Sequence, residues 1–190
     1  MNSSTKRLFV IAVVAGIASA VPNHSAAAQP RAAGASPCAA DSNYQHLAFW
    51  VGDWDVYDST GVHYATQRVH SAVDACALTT DWAGRAGDKG LGVSAFDRRS
   101  GEWRQVYVSN QVPAPSGVSV RKSDQTYAGP GVRFVPLLDP PAGDLARSRV
   151  TILPMSDQRT LQLFEDSSDG GKTWHTVFKA EHRLQRGNEP

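Results

Sequence analysis

From Phe49 onward, apolar and polar positions alternate with a period close to two. In the segment 49–58, Trp50, Gly52, Trp54 and Val56 share one face, and Asp53, Asp55 and Tyr57 the other. That spacing is the pattern of a half-buried strand. Turn residues at Ser59-Thr60-Gly61 are followed by further segments rich in β-branched and aromatic residues. They cover 62–73, 76–82, 90–96, 103–109, 117–122, 132–138, 149–154, 160–166 and 173–184. The intervening stretches carry Gly, Pro, Asp and Ser, the residues that turns require. Nine or ten short strands with no long amphipathic helix predict an all-β, antiparallel fold. A sandwich would leave open edges, whereas closure removes them. Connections of mostly hairpin length favour an up-and-down β-barrel of about nine to ten strands. The main interruption is Asp139–Asp144, where paired prolines oppose a strand.

The N-terminus follows a different pattern. Lys6-Arg7 precedes an apolar run from Leu8 to about Ala20, shorter than the roughly 20 residues of a membrane-spanning helix. Small residues at 18–20 and 26–28 offer two cleavage sites. This is the layout of a signal peptide over 1–28, cut after Ala28, with an uncleaved anchor as the alternative. Residues 29–43 read as an N-terminal arm, 44–186 as the barrel domain and 187–190 as a tail. The expected location is exported, periplasmic or extracellular, with no stable membrane insertion after cleavage.

Removing the signal changes the charge. The whole chain carries 19 Lys and Arg against 18 Asp and Glu, a formal +1. Loss of Lys6 and Arg7 leaves 17 against 18, so the mature chain stands at −1. A chain so balanced has no electrostatic reason to bind nucleic acid. Its 41% hydrophobic content exceeds that of a disordered chain. Of the only two cysteines, Cys38 and Cys76, an oxidising compartment makes a disulfide; two buried thiols are the alternative. Neither belongs to a Cys-x-x-Cys motif.

Three motifs carry resemblances. Gly52-Asp53-Trp54, at the start of the first strand, resembles the Gly-x-Trp opening of lipocalins and their calycin relatives. That resemblance implies a Trp54 that closes the barrel bottom, under an arginine of the last strand, here Arg183. A wider set resembles an uncharacterised family of exported bacterial proteins expected to form a lipocalin-like barrel. It comprises 49–54 (FWVGDW), 76–78 (CAL), 101–105 (GEWRQ) and 169–174 (DGGKTW), and spans roughly 44–186. The chain departs from that family in the prolines of 110–145 and at Thr80-Asp81. The stretch 167–174 (SSDGGKTW) is similar to the Asp-box of sialidase propellers. A propeller repeats this box once per blade, and here it occurs once. It therefore reads as a structural hairpin in which Asp169 accepts backbone bonds, Gly171 turns the chain and Trp174 lies beneath.

Catalytic signatures are sparse. The histidines after the signal, His46, His63, His70, His175 and His182, show neither His-x-x-x-His spacing nor i, i+2 pairing. No metal site and no catalytic residue is assigned, and no cofactor is expected. One alternative is a haem held by His182, because some small ten-stranded barrels bind haem through a histidine near the C-terminus. Another is an enzyme using Asp53 and Asp55, neighbours on one strand face with the spacing of glycosidase acids.

A ligand-lined lumen is the more economical expectation. Trp103, Gln105 and Tyr107 alternate onto one face, as do Thr66, Arg68 and His70 on another. Aromatic bodies with a few polar tips are what a small-molecule cavity uses. The expected function is non-catalytic binding of a small, largely apolar ligand. The competing expectation is a filled barrel, with Trp103 and Tyr107 as core, serving a structural or protein-interaction role.

Overall fold

A computed structural model describes residues 36–110 and 117–185. The expected signal segment 1–28, most of the expected arm, residues 111–116 and the expected tail lie outside the described residues. A single turn of helix, α1 (Ser42–Gln45), is capped by Asp41, whose carboxylate accepts the Asn43 amide N–H at 3.0 Å. A 3-10 turn over Ala48–Trp50 then feeds the first strand.

Ten strands follow: β1 (Gly52–Tyr57), β2 (His63–Ala72), β3 (Ala77–Gly84), β4 (Lys89–Asp97) and β5 (Glu102–Ser109). The second half comprises β6 (Val118–Ser123), β7 (Val132–Pro136), β8 (Arg147–Pro154), β9 (Arg159–Ser167) and β10 (His175–Leu184). Each strand pairs antiparallel with its sequence neighbour, and β1 pairs with β10, with Trp54 opposite Leu184. The sheet is thus a closed up-and-down barrel, and closure leaves no edge strand to be covered.

One end is plugged. Leu47 and Trp50, delivered by the helical segment, join Trp54, Val69, Leu78, Trp103, Val132, Phe134 and Ile152 in one buried cluster. The Trp54 indole N–H donates to the Trp50 carbonyl at 3.0 Å, so the polar tip of a buried ring is satisfied inside the plug. Gly52 makes room for this arrangement: a Cβ there would lie 2.6 Å from Leu184 and 3.3 Å from the Trp54 ring. Cys38 and Cys76 form a disulfide that ties the helical segment to the β2–β3 turn. In that turn Val73, Asp74 and Ala75 hold φ of 51°, 53° and 66°, a conformation L-residues seldom adopt. The bridge to Cys76 sits at its end.

Inward and outward faces are conventional on β1, β2 and β10 but inverted on β4–β6. There Leu91, Val93, Val106, Val108, Val118 and Val120 face outward and are two-fifths to half exposed. They are register neighbours, Leu91–Val108–Val118 and Val93–Val106–Val120, and form one aliphatic patch. The inner face of the same strands carries Gly92, Ser94, Gln105, Tyr107 and Arg121.

Three expected positions need correction. Arg68 and His70 lie on the outer face of β2, each 3.8 Å from Asp53, because Ala65, Gln67 and Val69 take the inner face. Arg183 does not lie under Trp54. It projects outward, stacks 4.0 Å over Tyr57 and donates to Glu181 at 2.8 Å. The inward neighbour that meets Trp54 edge-on, at 6.3 Å, is His182. On β2 the interior goes to Ala65, Gln67 and Val69 and on β10 to His182, while the guanidinium groups of Arg68 and Arg183 stay in water.

Candidate functional site

Above the plug, on the side of the β1–β2, β3–β4 and β9–β10 turns, the barrel is hollow. The cavity measures about 240 Å³. Trp50 forms its floor, and Tyr64, Trp82, Phe164 and Phe178 are the aromatic part of its wall. These rings support one another: Tyr64 lies 5.2 Å from Phe178 and 6.0 Å from Trp82, and Phe164 5.7 Å from Phe178. Polar groups interrupt this wall at Gln67, Thr80, Gln105 and Gln162. The volume exceeds the roughly 150 Å³ void that takes up benzene. It falls below the ~300 Å³ at which drug-sized pockets begin. One or two rings, or a chain of equal bulk, is the scale it suits.

Glycines shape one side. A Cβ at Gly90 would stand 1.9 Å from the Tyr107 hydroxyl, and one at Gly92 would stand 3.1 Å from its ring. The bare backbone of β4 is therefore the bed on which Tyr107 lies. Burial, with help from the Asp88 charge, pushes the Tyr107 phenol up to about 12, while Arg121 pulls the other way. The phenol stays protonated and keeps its O–H as a donor. Asp88 reaches into the same space from the β3–β4 turn and accepts the Trp82 indole N–H at 2.5 Å. Arg121 projects from β6, opposite Gln105, and burial lowers its pKa from the ordinary arginine range.

Of the residues expected to line a lumen, Gln105 and Tyr107 do so. Trp103 shares their face but sits one layer lower, against Phe96 at 6.1 Å, as part of the plug. His182 is fully buried and does not border the cavity. Its Nε2 is engaged with the Gln67 Oε1 at 2.8 Å, so it presents no open face to a haem. Asp53 and Asp55 are on the outer face, beside Arg68 and His70 in one case and His63 (3.6 Å) in the other. Neither reaches the cavity, whose one acidic residue among the described residues is Asp88. No group of three metal-ligating side chains occurs among the described residues.

The Asp169 hairpin lies at the cavity end but outside its lining. Asp169 accepts the Lys172 and Thr173 amides at 2.9 Å each and the Thr173 hydroxyl at 2.6 Å. These bonds, the Thr173 hydroxyl first, hold its carboxyl well below the usual range. Gly170 and Gly171 supply φ of 76° and 90°, and the Trp174 indole donates back to the Gly171 carbonyl at 3.0 Å. Arg149 covers the Trp174 ring at 3.9 Å while binding Glu165 through two bonds of 2.7 and 3.0 Å. The Ser167, Asp169, Thr173 and Trp174 side chains all bond within the hairpin, which gives it the character of a staple between β9 and β10. A wider, more open groove of about 980 Å³ runs between this hairpin and the 137–146 loop. Of its charged residues, Lys122, Asp139, Arg147 and Asp166, Arg147 is bonded to the Asp144 and Ala146 carbonyls.

Sequence patterning missed Arg121, Asp88, Gln67 and Gln162. Arg121 lies in 117–122 (GVSVRK), where the valines suggest the buried face and in fact point outward. The detectable signal was Gly90-Leu91-Gly92 on the strand that pairs with Tyr107, a mark of close approach rather than of phosphate binding. Compared with family models and with curated proteins, the chain matches none of either.

Proposed function

We propose that the protein is an exported, non-catalytic binder of a small, largely apolar ligand inside a lipocalin-like barrel. The observation that supports this most is the cavity itself: about 240 Å³, floored by Trp50 and walled by aromatic rings. Such concave, mainly apolar spaces with a few placed polar groups are the usual form of small-molecule sites. The Cys38–Cys76 bridge fits an oxidising compartment, and with the N-terminal pattern it supports a periplasmic or extracellular location. The Gly52-Asp53-Trp54 opening and the wider motif set support kinship with the uncharacterised exported family. A second reading, a barrel that works through its outer face, has the aliphatic patch of β4–β6 in its favour.

Filling the cavity distinguishes the two. Thr80 is 5% exposed, borders the cavity and faces Gly92 on β4. Thr80→Phe should occupy the space a ligand needs. Native mass spectrometry of protein purified from its own compartment is expected to show a small organic mass on the wild type and none on the variant. In parallel, 4-methylphenol should raise the melting temperature of the wild type only. A bare wild type, together with equal responses of both proteins to 4-methylphenol, would contradict the binding role.

A further inference from the structure

The cavity contains a positive charge without a counter-ion. Arg121 borders it from β6, and no acidic group among the described residues forms an ion pair or hydrogen bond with its guanidinium. The one acid bordering the cavity among the described residues, Asp88, accepts the Trp82 indole N–H. The Tyr107 hydroxyl, between them in electrostatic reach of both, also has no hydrogen-bond partner among the described residues. A partly buried charge without a partner contributes nothing to the wall, and a fold that needed only a filled wall would be better served by an apolar side chain at 121. Six such chains are nearby, but they face outward, and the inner face of β6 is given to the cation.

Resting on the cavity-binding reading above, we propose that Arg121 and the Tyr107 hydroxyl are the anion-binding head of the cavity. The ligand is then a small organic carboxylate whose apolar body lies against Trp82, Phe164 and Phe178. The planar guanidinium fork matches a carboxylate through two parallel N–H bonds. Tyr107, held protonated, adds an O–H donor. Asp88 in the same space selects against a doubly charged phosphate, which it would repel. The limited volume points the same way, since the apolar body and the head must share about 240 Å³.

The test is calorimetric titration with 4-methylbenzoate and its uncharged isostere 4-methylbenzamide, on wild type, Arg121→Met and Arg121→Lys. The wild type should bind the carboxylate at least about tenfold tighter than the amide, as one charge-assisted fork allows. Arg121→Met should erase that preference while still binding the amide, and Arg121→Lys should keep part of it. Without ligand, Arg121→Met should melt at or above the wild-type temperature, which an arginine serving only the fold would not permit. Equal wild-type affinities for the two probes, unmoved by Arg121→Met, would overturn the anion head and leave the cavity reading intact. Binding of neither probe would overturn both.

Discussion

Replacing Cys38 and Cys76 together by serine is expected to lower stability by about 4 kcal/mol, the chain-entropy value for a bridge closing a loop of this length. The two residues are separated by 38 positions, so the unfolded chain regains a large set of conformations when the link is lost. The folded state is affected at a specific place. Cys38 is 5% exposed and leads into the segment that delivers Leu47 and Trp50, both at most 1% exposed, into the plugged end. Without the bridge, that segment is held by its apolar contacts, by the Ser36 hydroxyl bonded to the Asp74 carbonyl and by the Arg98–Asp41 ion pair at 2.8 Å. Such a surface pair contributes little. The β2–β3 turn, with its three consecutive left-handed residues, loses its covalent anchor at the same time and keeps the Ser36–Asp74 hydrogen bond. For a domain of this size the loss corresponds to a fall of roughly 10 °C in melting temperature. Thermal unfolding of wild type and double variant without reductant checks this, and a fall of only a degree or two would mean the bridge is incidental.

Acidification is expected to weaken the barrel through His182. Burial drives this imidazole down to about 4 from an ordinary 6.5, against the opposing pull of the Ala180 and Thr160 backbone groups. The folded protein therefore holds His182 neutral, bonded to Gln67, when the unfolded chain has already taken up a proton. Stability from this group is complete above pH 6.5 and declines as pH falls towards 4. Below that pH both states are protonated and nothing more is lost. A depression of this size corresponds to about 3 kcal/mol over the interval. Urea unfolding from pH 7 to pH 4 should show the decline in the wild type. The difference between wild type and His182→Gln, which keeps a donor for Gln67 but no titrating ring, should carry that slope. Parallel pH profiles for the two proteins would assign the acid sensitivity elsewhere.

The strand pattern was legible because strands alternate in sequence whether or not their surroundings are known. Ten periodic segments separated by turn residues map onto β1–β10, and hairpin-length links are enough to favour closure over a sandwich. Which face points inward is another matter. On β1 the answer is written in Trp54 and Val56, but on β2 the neighbours Arg68 and His70 offered the same period as Gln67 and Val69. On β4–β6 the apolar set lies outside, so hydrophobicity gives the opposite face from the one that bounds the cavity. Arg121 was therefore invisible as a site residue, although it faces Gln105, which had been picked out. Trp103 shows the remaining limit: alternation gives the face of a side chain and not its height along the barrel axis. The same face holds plug at 103 and cavity at 105 and 107.

The expectation borrowed from lipocalins for the last strand failed by one residue. Arg183 stays outside with Glu181 and Tyr57, and the neutral His182 lies against Trp54 instead. A neutral ring in this place costs less than a buried guanidinium would, and it is what makes the closed end acid-sensitive. The inner surface thus has two polar systems at different heights: His182 with Gln67 low in the barrel, and Arg121 with Tyr107 above the plug. Gln67 spends its Oε1 on His182, whereas the Arg121 guanidinium and the Tyr107 hydroxyl have no hydrogen-bond partner among the described residues.

The central claim is that the space above the plug accepts a small molecule, and its own side chains can report that. Gln67, Gln105 and Gln162 project amide groups into the cavity from three different strands. In a nuclear magnetic resonance titration with 4-methylbenzoate, these three side-chain amides should shift together and saturate at one common affinity. The methyl groups of Val93 and Val106, on the outer face, should stay still. Silence at the three amides, with movement confined to the outer valines or absent altogether, would contradict a ligand-binding barrel.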